Sequence, residues 1–175
     1  MNSNKILIVM GMQNDFITGS LSTKEAREIV PYVKEEIETK RKEGYHVLYV
    51  RDTHSEEYPY TQEARELPII HCQVGTDGWQ IIKEIEDLST PHVHKDYFLL
   101  KPWKDVFKRL GWDNPEEIEI IGTRTDVCVL VNIYFLYTLY PKINFYVKEN
   151  CCAGTSVENH KTAIKLMKIL GFNVI

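Results

Sequence analysis

The amino-acid sequence predicts an α/β fold, one domain over residues 1–175, in which a six-stranded parallel sheet is covered on both faces by helices in three layers. Three observations carry that expectation. Short apolar runs alternate along the chain with segments of helical period, the pattern of a parallel sheet with crossover helices. The first run, Ile6-Leu7-Ile8-Val9, is apolar throughout, as strands buried on both faces are. A length of 175 residues with 43% hydrophobic content suffices for a full core, and 26% charged residues suit a soluble globular chain.

Lys5–Met10 is expected as the first strand. Ser22-Thr23-Lys24-Glu25 has the form of a capping box, a hydroxyl and a carboxylate three residues apart that each satisfy a free backbone N–H. It opens a helix to about Glu43, with Ile29, Val33 and Ile37 on one face and Gly44 as the stop. Pro31 within that span is tolerated if the helix begins near it or kinks there. Tyr45–Val50 reads as the second strand. The polar stretch Arg51–Gly78 is too long for an idle connection and is expected to be functional. Gly78–Leu88 reads as a helix, His92–His94 as a short strand and Trp103–Leu110 as a helix. Glu117–Gly122 is the fourth strand and Asp126–Leu139 the helix after it. Asn144–Lys148, Val157–Leu170 and Phe172–Ile175 complete the order as strand, helix and edge strand.

The net charge of −4, with no Lys/Arg block, argues against a nucleic-acid partner. Met1–Lys5 leads straight into the first strand, a run too short for a signal peptide or a membrane span. The cysteines are Cys72, Cys128, Cys151 and Cys152; two of them are adjacent, which suits a reducing cytoplasm better than a disulfide framework. Cys151 and Cys152 read as small buried hydrophobes.

Chemistry enters just past the strand ends, where Gly11, Asp52, Lys95 and Cys128 fall. Cys128 sits where a buried strand turns into a helix. There the dipole and free N–H groups favour thiolate, and the same N–H groups can cradle an oxyanion. Asp52, His54 and His71 form a second group, able to bind a divalent metal on one face and leave positions open. Zn²⁺ suits this nitrogen-rich set best, with Fe²⁺ and Mn²⁺ as alternatives. The plainer reading is a turn capped by Asp52 with solvated histidines. Cys72 beside His71 is either a further ligand or, the favoured reading, a buried thiol. His92, His94 and Lys95 lie together without the makings of a second metal site.

Five motifs in order then carry a resemblance: Met12-Gln13-Asn14-Asp15-Phe16, Arg51-Asp52-Thr53-His54, His71-Cys72-Gln73-Val74-Gly75-Thr76, His94-Lys95-Asp96-Tyr97-Phe98 and Thr125-Asp126-Val127-Cys128-Val129. Together with Cys151-Cys152-Ala153-Gly154 and His160, they resemble the nicotinamidase/isochorismatase-like cysteine hydrolases over nearly the whole chain, on the nicotinamidase-like, metal-containing side. The resemblance implies hydrolysis of a small amide, most readily nicotinamide to nicotinate and ammonia, through a cysteine acyl-enzyme, and frequent homo-oligomerisation. It implies Cys128 as nucleophile, Lys95 as the cationic triad member, and Asp52, His54 and His71 as metal ligands. Phe16 matches the aromatic that packs against the substrate ring. Lys95 as a solvated strand-end charge and Phe16 as plain core are the alternatives.

Two positions depart from the family pattern. The third triad member, an aspartate directly before Met12, is here Gly11, and losing such an acid typically removes on the order of 10²–10⁴ in rate. Asp15 is the weaker candidate to replace it. Arg124 stands where the family has a small or apolar residue, with a backbone N–H that helps form the oxyanion hole after an often cis peptide. Pointing inward, Arg124 would bind an anion or fill the place left at Gly11. Four readings are compatible with these residues: an amide hydrolase, impaired or not; an inactive binder of a small metabolite; a chain in which Gly11 deliberately replaces a working aspartate; and an α/β domain without a site.

Overall fold

A computed structural model describes residues 4–175; the Met1–Ser3 lead lies outside the described residues. The sheet is six-stranded and parallel, in the order β3-β2-β1-β4-β5-β6. Its strands are β1 (Lys5–Met10), β2 (His46–Asp52), β3 (His92–Lys95), β4 (Glu117–Thr123), β5 (Asn144–Ala153) and β6 (Asn173–Val174). The helices are α1 (Asn14–Ile17), α2 (Lys24–Glu28), α3 (Val30–Lys42), α4 (Gln62–Glu66), α5 (Trp103–Leu110), α6 (Leu130–Leu139) and α7 (Val157–Ile169). The predicted fold class holds. Ile6 to Met10 are fully buried because helices cover both sheet faces, so the central strand can be apolar on each. Glu119 is a buried carboxylate in β4; it faces α3, where Lys40 meets it at 3.0 Å.

Three sequence expectations change. The single helix expected from Ser22 divides into α2 and α3 at Ile29, with Pro31 in the first turn of α3, where its missing N–H costs nothing. Its cap is Thr23, whose hydroxyl accepts from the Ala26 N–H, one residue later than the predicted box. Gly78–Leu88 is not a helix. Its backbone pairs with the chain leaving β1, through Asn14 N–H to Gln80 O, Asp15 N–H to Gly78 O and Ile82 N–H to Met12 O, so those groups are unavailable to a helix of its own. The helix expected from Asp126 begins as one wide π-turn, Thr125–Val129, before α6. Among the described residues no helix is long and apolar enough to cross a membrane.

Parallel order brings the ends of β1, β2, β3 and β4 to one edge, because every crossover returns the chain to the same starting side. β2 pairs with β3 so that Asp52 lies directly opposite Lys95. That register builds the site.

Candidate active site

At the carboxyl edge the Lys95 ammonium forms an ion pair with Asp52 Oδ1 and donates to Cys128 Sγ at 3.3 Å and to the Tyr97 carbonyl at 3.1 Å. Asp52 Oδ2 lies 3.9 Å from the Cys128 sulfur. The three residues are only 3–4% exposed, so each charge depends on the others for compensation. Cys128 is seated by the π-turn after β4, which the Thr123–Arg124 peptide, a cis bond, enters. Asn132, one turn into α6, donates to the Cys128 and Phe98 carbonyls and accepts from the Leu100 N–H and the Trp103 indole. It ties the cysteine's helix to the segment that carries Tyr97 and Phe98 into the site.

The expectation that this seat favours thiolate is corrected. Burial pushes the Cys128 thiol up to about 11 and Asp52 adds to the rise; the Lys95 ammonium and the Arg124 backbone only partly offset them. Desolvation of a buried thiolate outweighs the partial charge of one helix terminus. Burial also works against the Lys95 charge, yet Asp52 and Cys128 beside it hold the ammonium above its ordinary range.

Beside this trio lies an imidazole pair. The long loop after β2 folds back so that the His54 N–H donates to Cys72 O and the Val74 N–H to His54 O. This sets the His54 and His71 rings edge to face, 4.7 Å apart, with Tyr58 packed on both. His71 Nδ1 donates to Ile69 O, which directs its Nε2 lone pair inward; His54 Nε2 is buried without a hydrogen-bond partner among the described residues. Donor atoms of Asp52, His54 and His71 lie within 4.8 Å of one another. An orphaned imidazole nitrogen, a second with its tautomer fixed and a nearby carboxylate fit a divalent metal. Burial depresses His54 to about 4 and lowers His71 as well, keeping both in the neutral form a metal requires.

Sequence reasoning missed Glu63. Thr61 caps α4 through the Ala64 N–H, and the short helix places Glu63 Oε1 3.7 Å from His71 Nε2 and 4.0 Å from His54 Nε2. Burial raises its carboxyl to about 7. Its one sequence signal is that it lies in the long loop expected to be functional. Gln13 was also missed. This fully buried amide accepts from the Asp52 N–H at 2.7 Å and donates to the Asp52 carbonyl at 2.8 Å and the Trp79 carbonyl at 2.9 Å.

The two departures resolve differently. Gly11 has φ +55, and a Cβ there would lie 2.6 Å from Thr123 O and 2.9 Å from Thr123 Oγ1, so Thr123 fills the space beside it. Arg124 does not reach that space. Its guanidinium donates to Leu21 O at 2.9 Å and lies 5.4 Å from the Phe16 ring centroid, on the cleft wall. Asp15 is occupied elsewhere, accepting from the Cys72 N–H at 2.7 Å and the Ser20 N–H at 3.3 Å. Cys72, Cys151 and Cys152 are buried thiols, as expected. His94 is engaged by Thr53 and stacked on Trp79, away from the His54–His71 pair.

Phe16, Leu21, Leu67, Tyr97, Phe98 and Arg124 wall a cleft of about 500 Å³ whose floor includes Asp52, His71 and Cys128. That is the size of a small-molecule site, apolar with a few convergent polar groups. A second cleft of about 600 Å³, near Lys148, Cys152 and His160, lacks such convergence. There the Cys152 thiol is pushed far up by burial, and His160 is engaged by the Thr125 hydroxyl.

A family model described as the isochorismatase domain matches residues 5–175. A nicotinamidase of Saccharomyces cerevisiae is 25% identical over 168 residues, covering 71% of this chain and 77% of that protein. Among solved structures, the nicotinamidase/pyrazinamidase of Bacillus subtilis superposes with a TM-score of 0.84 at 22% identity, covering 97% of this chain and 98% of that one. A pyrazinamidase of Pyrococcus horikoshii in complex with zinc gives a TM-score of 0.81 at 22% identity, with 98% of each chain covered. An N-carbamoylsarcosine amidase of Thermoplasma acidophilum is 28% identical, with a TM-score of 0.79 and coverage of 97% and 94%.

Proposed function

Because the chain belongs to the isochorismatase domain family, we propose that it hydrolyses a small amide through Cys128, with nicotinamide, giving nicotinate and ammonia, as the leading substrate. The observation that carries this reading is the Lys95–Cys128 contact of 3.3 Å on the floor of the walled cleft. The nicotinamidase of Saccharomyces cerevisiae and the amidase of Thermoplasma acidophilum support an amide as substrate class.

In this reading the apolar wall of Phe16, Leu21 and Phe98 receives a ring or similar small body and excludes water. The amide carbonyl then lies beside the Cys128 sulfur, and Lys95 offsets the thiolate charge as attack begins. The Arg124 backbone N–H, at the entrance to the turn that seats Cys128, is the group we assign to the oxyanion formed on the attacked carbon. Collapse of that adduct expels the amine, and water frees the acid in a second displacement. Asp52, His54, His71 and Glu63 form the pool of groups from which a divalent metal, zinc by preference, would draw its ligands. When bound, such a metal supplies a cationic anchor for a ring nitrogen or oxygen of the substrate.

The test is ammonia release from nicotinamide by the purified protein and by Cys128→Ala. Release that depends on Cys128, with an acyl-enzyme trapped by acid quench and seen by intact mass, supports the reading. Saturable binding of nicotinamide without release supports a second reading, an inactive binder, for which the lack of a carboxylate at position 11 speaks.

A further inference from the structure

The hydrolase reading leaves a proton without a carrier, since position 11 supplies no acid. We propose that in this chain the acid of the triad is Asp52, moved from β1 to the end of β2, and that Glu63 takes over the carboxylate place beside His54 and His71. The inference rests on the cysteine-hydrolase reading of the same cleft.

Four observations carry it. Asp52 spends one oxygen on Lys95 and turns the other to the Cys128 sulfur at 3.9 Å, so it touches both other members of the trio. Position 11 carries no side chain, a Cβ there would crowd Thr123 O at 2.6 Å, and the Thr123 hydroxyl donates to Gly11 O at 2.7 Å; β1 therefore delivers no acid. Gln13 grips both the N–H and the C=O of Asp52, fixing the backbone from which the carboxylate is aimed. Glu63 Oε1 stands within 3.7 and 4.0 Å of the two imidazole Nε2 atoms, which gives the histidines a carboxylate that makes no hydrogen bond or ion pair with Lys95 or Cys128. A carboxylate already committed to an ammonium and a thiol is a poor metal ligand, and a second one nearby removes the need for it.

The proton path closes on these atoms. Asp52 takes the Cys128 thiol proton as the sulfur–carbon bond forms and the carbonyl electron pair moves to oxygen. As that pair returns and the carbon–nitrogen bond breaks, Asp52 gives the proton to the departing amine. It then takes a proton from water as the oxygen–carbon bond forms. The carbon–sulfur bond breaks, the thiolate recovers that proton, and the balance is amide plus water to acid plus ammonia.

Three measurements test this on the intact chain: Zn²⁺ affinity by chelator competition, alkylation of Cys128 by iodoacetamide followed by mass, and ammonia release from nicotinamide. Asp52→Asn is expected to keep Zn²⁺ affinity within about threefold and to lose ammonia release by at least about a hundredfold. Its Cys128 is expected to alkylate at least about tenfold more slowly, because the group that takes the thiol proton is gone. Glu63→Gln is expected to lose Zn²⁺ affinity by at least about tenfold and to alkylate like the parent. The proposal is overturned if Asp52→Asn loses Zn²⁺ as severely as His71→Ala while Glu63→Gln binds normally. Should Asp52→Asn fail to fold, Zn²⁺ binding by Glu63→Gln at the parent level overturns it alone. Should the parent release no ammonia, the nicotinamide reading fails, and the Zn²⁺ and alkylation arms still decide the division between Asp52 and Glu63.

Discussion

Thr123 and Gly11 are locked face to face across β1 and β4: the threonine hydroxyl donates to Gly11 O at 2.7 Å, and the space of a Cβ at position 11 is already taken. Placing an aspartate there by Gly11→Asp alone is therefore expected to fail. The new side chain would need a left-handed backbone and would meet a carbonyl oxygen, which cannot swing away as a flexible side chain can. The expected outcome is a loss of about 2–4 kcal/mol of stability with no gain in ammonia release. Thermal unfolding and the coupled assay check this together.

Gln13→Ala should act on Asp52 without touching substrate. It removes both grips on the Asp52 backbone and leaves a buried N–H and C=O unpaired, at a cost of about 2–4 kcal/mol. If Gln13 positions the carboxylate, kcat falls by at least about tenfold while KM for nicotinamide changes little. A parallel rise in KM with kcat intact would instead mark a substrate contact.

Metal is expected to stabilise the fold through the imidazole pair. Free Zn²⁺ at about a hundred times its Kd should raise stability by about 2.7 kcal/mol, and a chelator should reverse it. His71→Ala, which removes a nitrogen whose tautomer Ile69 fixes, should abolish most of that gain. Elemental analysis and thermal shifts read the effect; a parent that gains nothing from Zn²⁺, Fe²⁺ or Mn²⁺ would sink the metal assignment.

In metal-free protein, two groups of the site should push acid stability in opposite directions. His54, held by burial at about 4, favours the folded state fully above its unfolded value of 6.5 and loses that contribution as pH falls through about 4. Glu63, raised by burial to about 7, does the reverse: its contribution is full below its unfolded value of 4.5 and lost as pH rises through about 7. Between pH 4.5 and 6.5 the two partly cancel. Glu63→Gln removes one side, so its stability should climb with pH more steeply than the parent's, by up to about 1 kcal/mol per pH unit. Urea unfolding at a few pH values in this window gives the slopes.

Much of the fold and site was legible locally. An all-apolar Ile6–Val9 can only be a strand buried on two faces, and Cys128 after a strand and before a helix can only sit near a helix N-terminus. Asp52 and Lys95 were likewise placed at strand ends by pattern alone, with His54 and His71 in the turn and long loop after Asp52, and the structure brings them together. Local pattern failed at Gly78–Leu88, where helical spacing lost to pairing with residues 12–15, a partner more than sixty positions away. It failed again at the thiol, because the dipole can be read from neighbours in sequence but burial cannot.

The parallel sheet, the strand-end positions of the reactive side chains and the glycine at position 11 are all written in the order of the residues. The consequence of that glycine is not, because it depends on contacts between distant segments. Thr123, Gln13, Asp52 and Glu63 come from separate stretches of chain joined by strand order, and their distances arise from register rather than from spacing. A carboxylate's partners are set by the groups within about 4 Å, and in a parallel sheet those neighbours belong to adjacent strands, not adjacent residues.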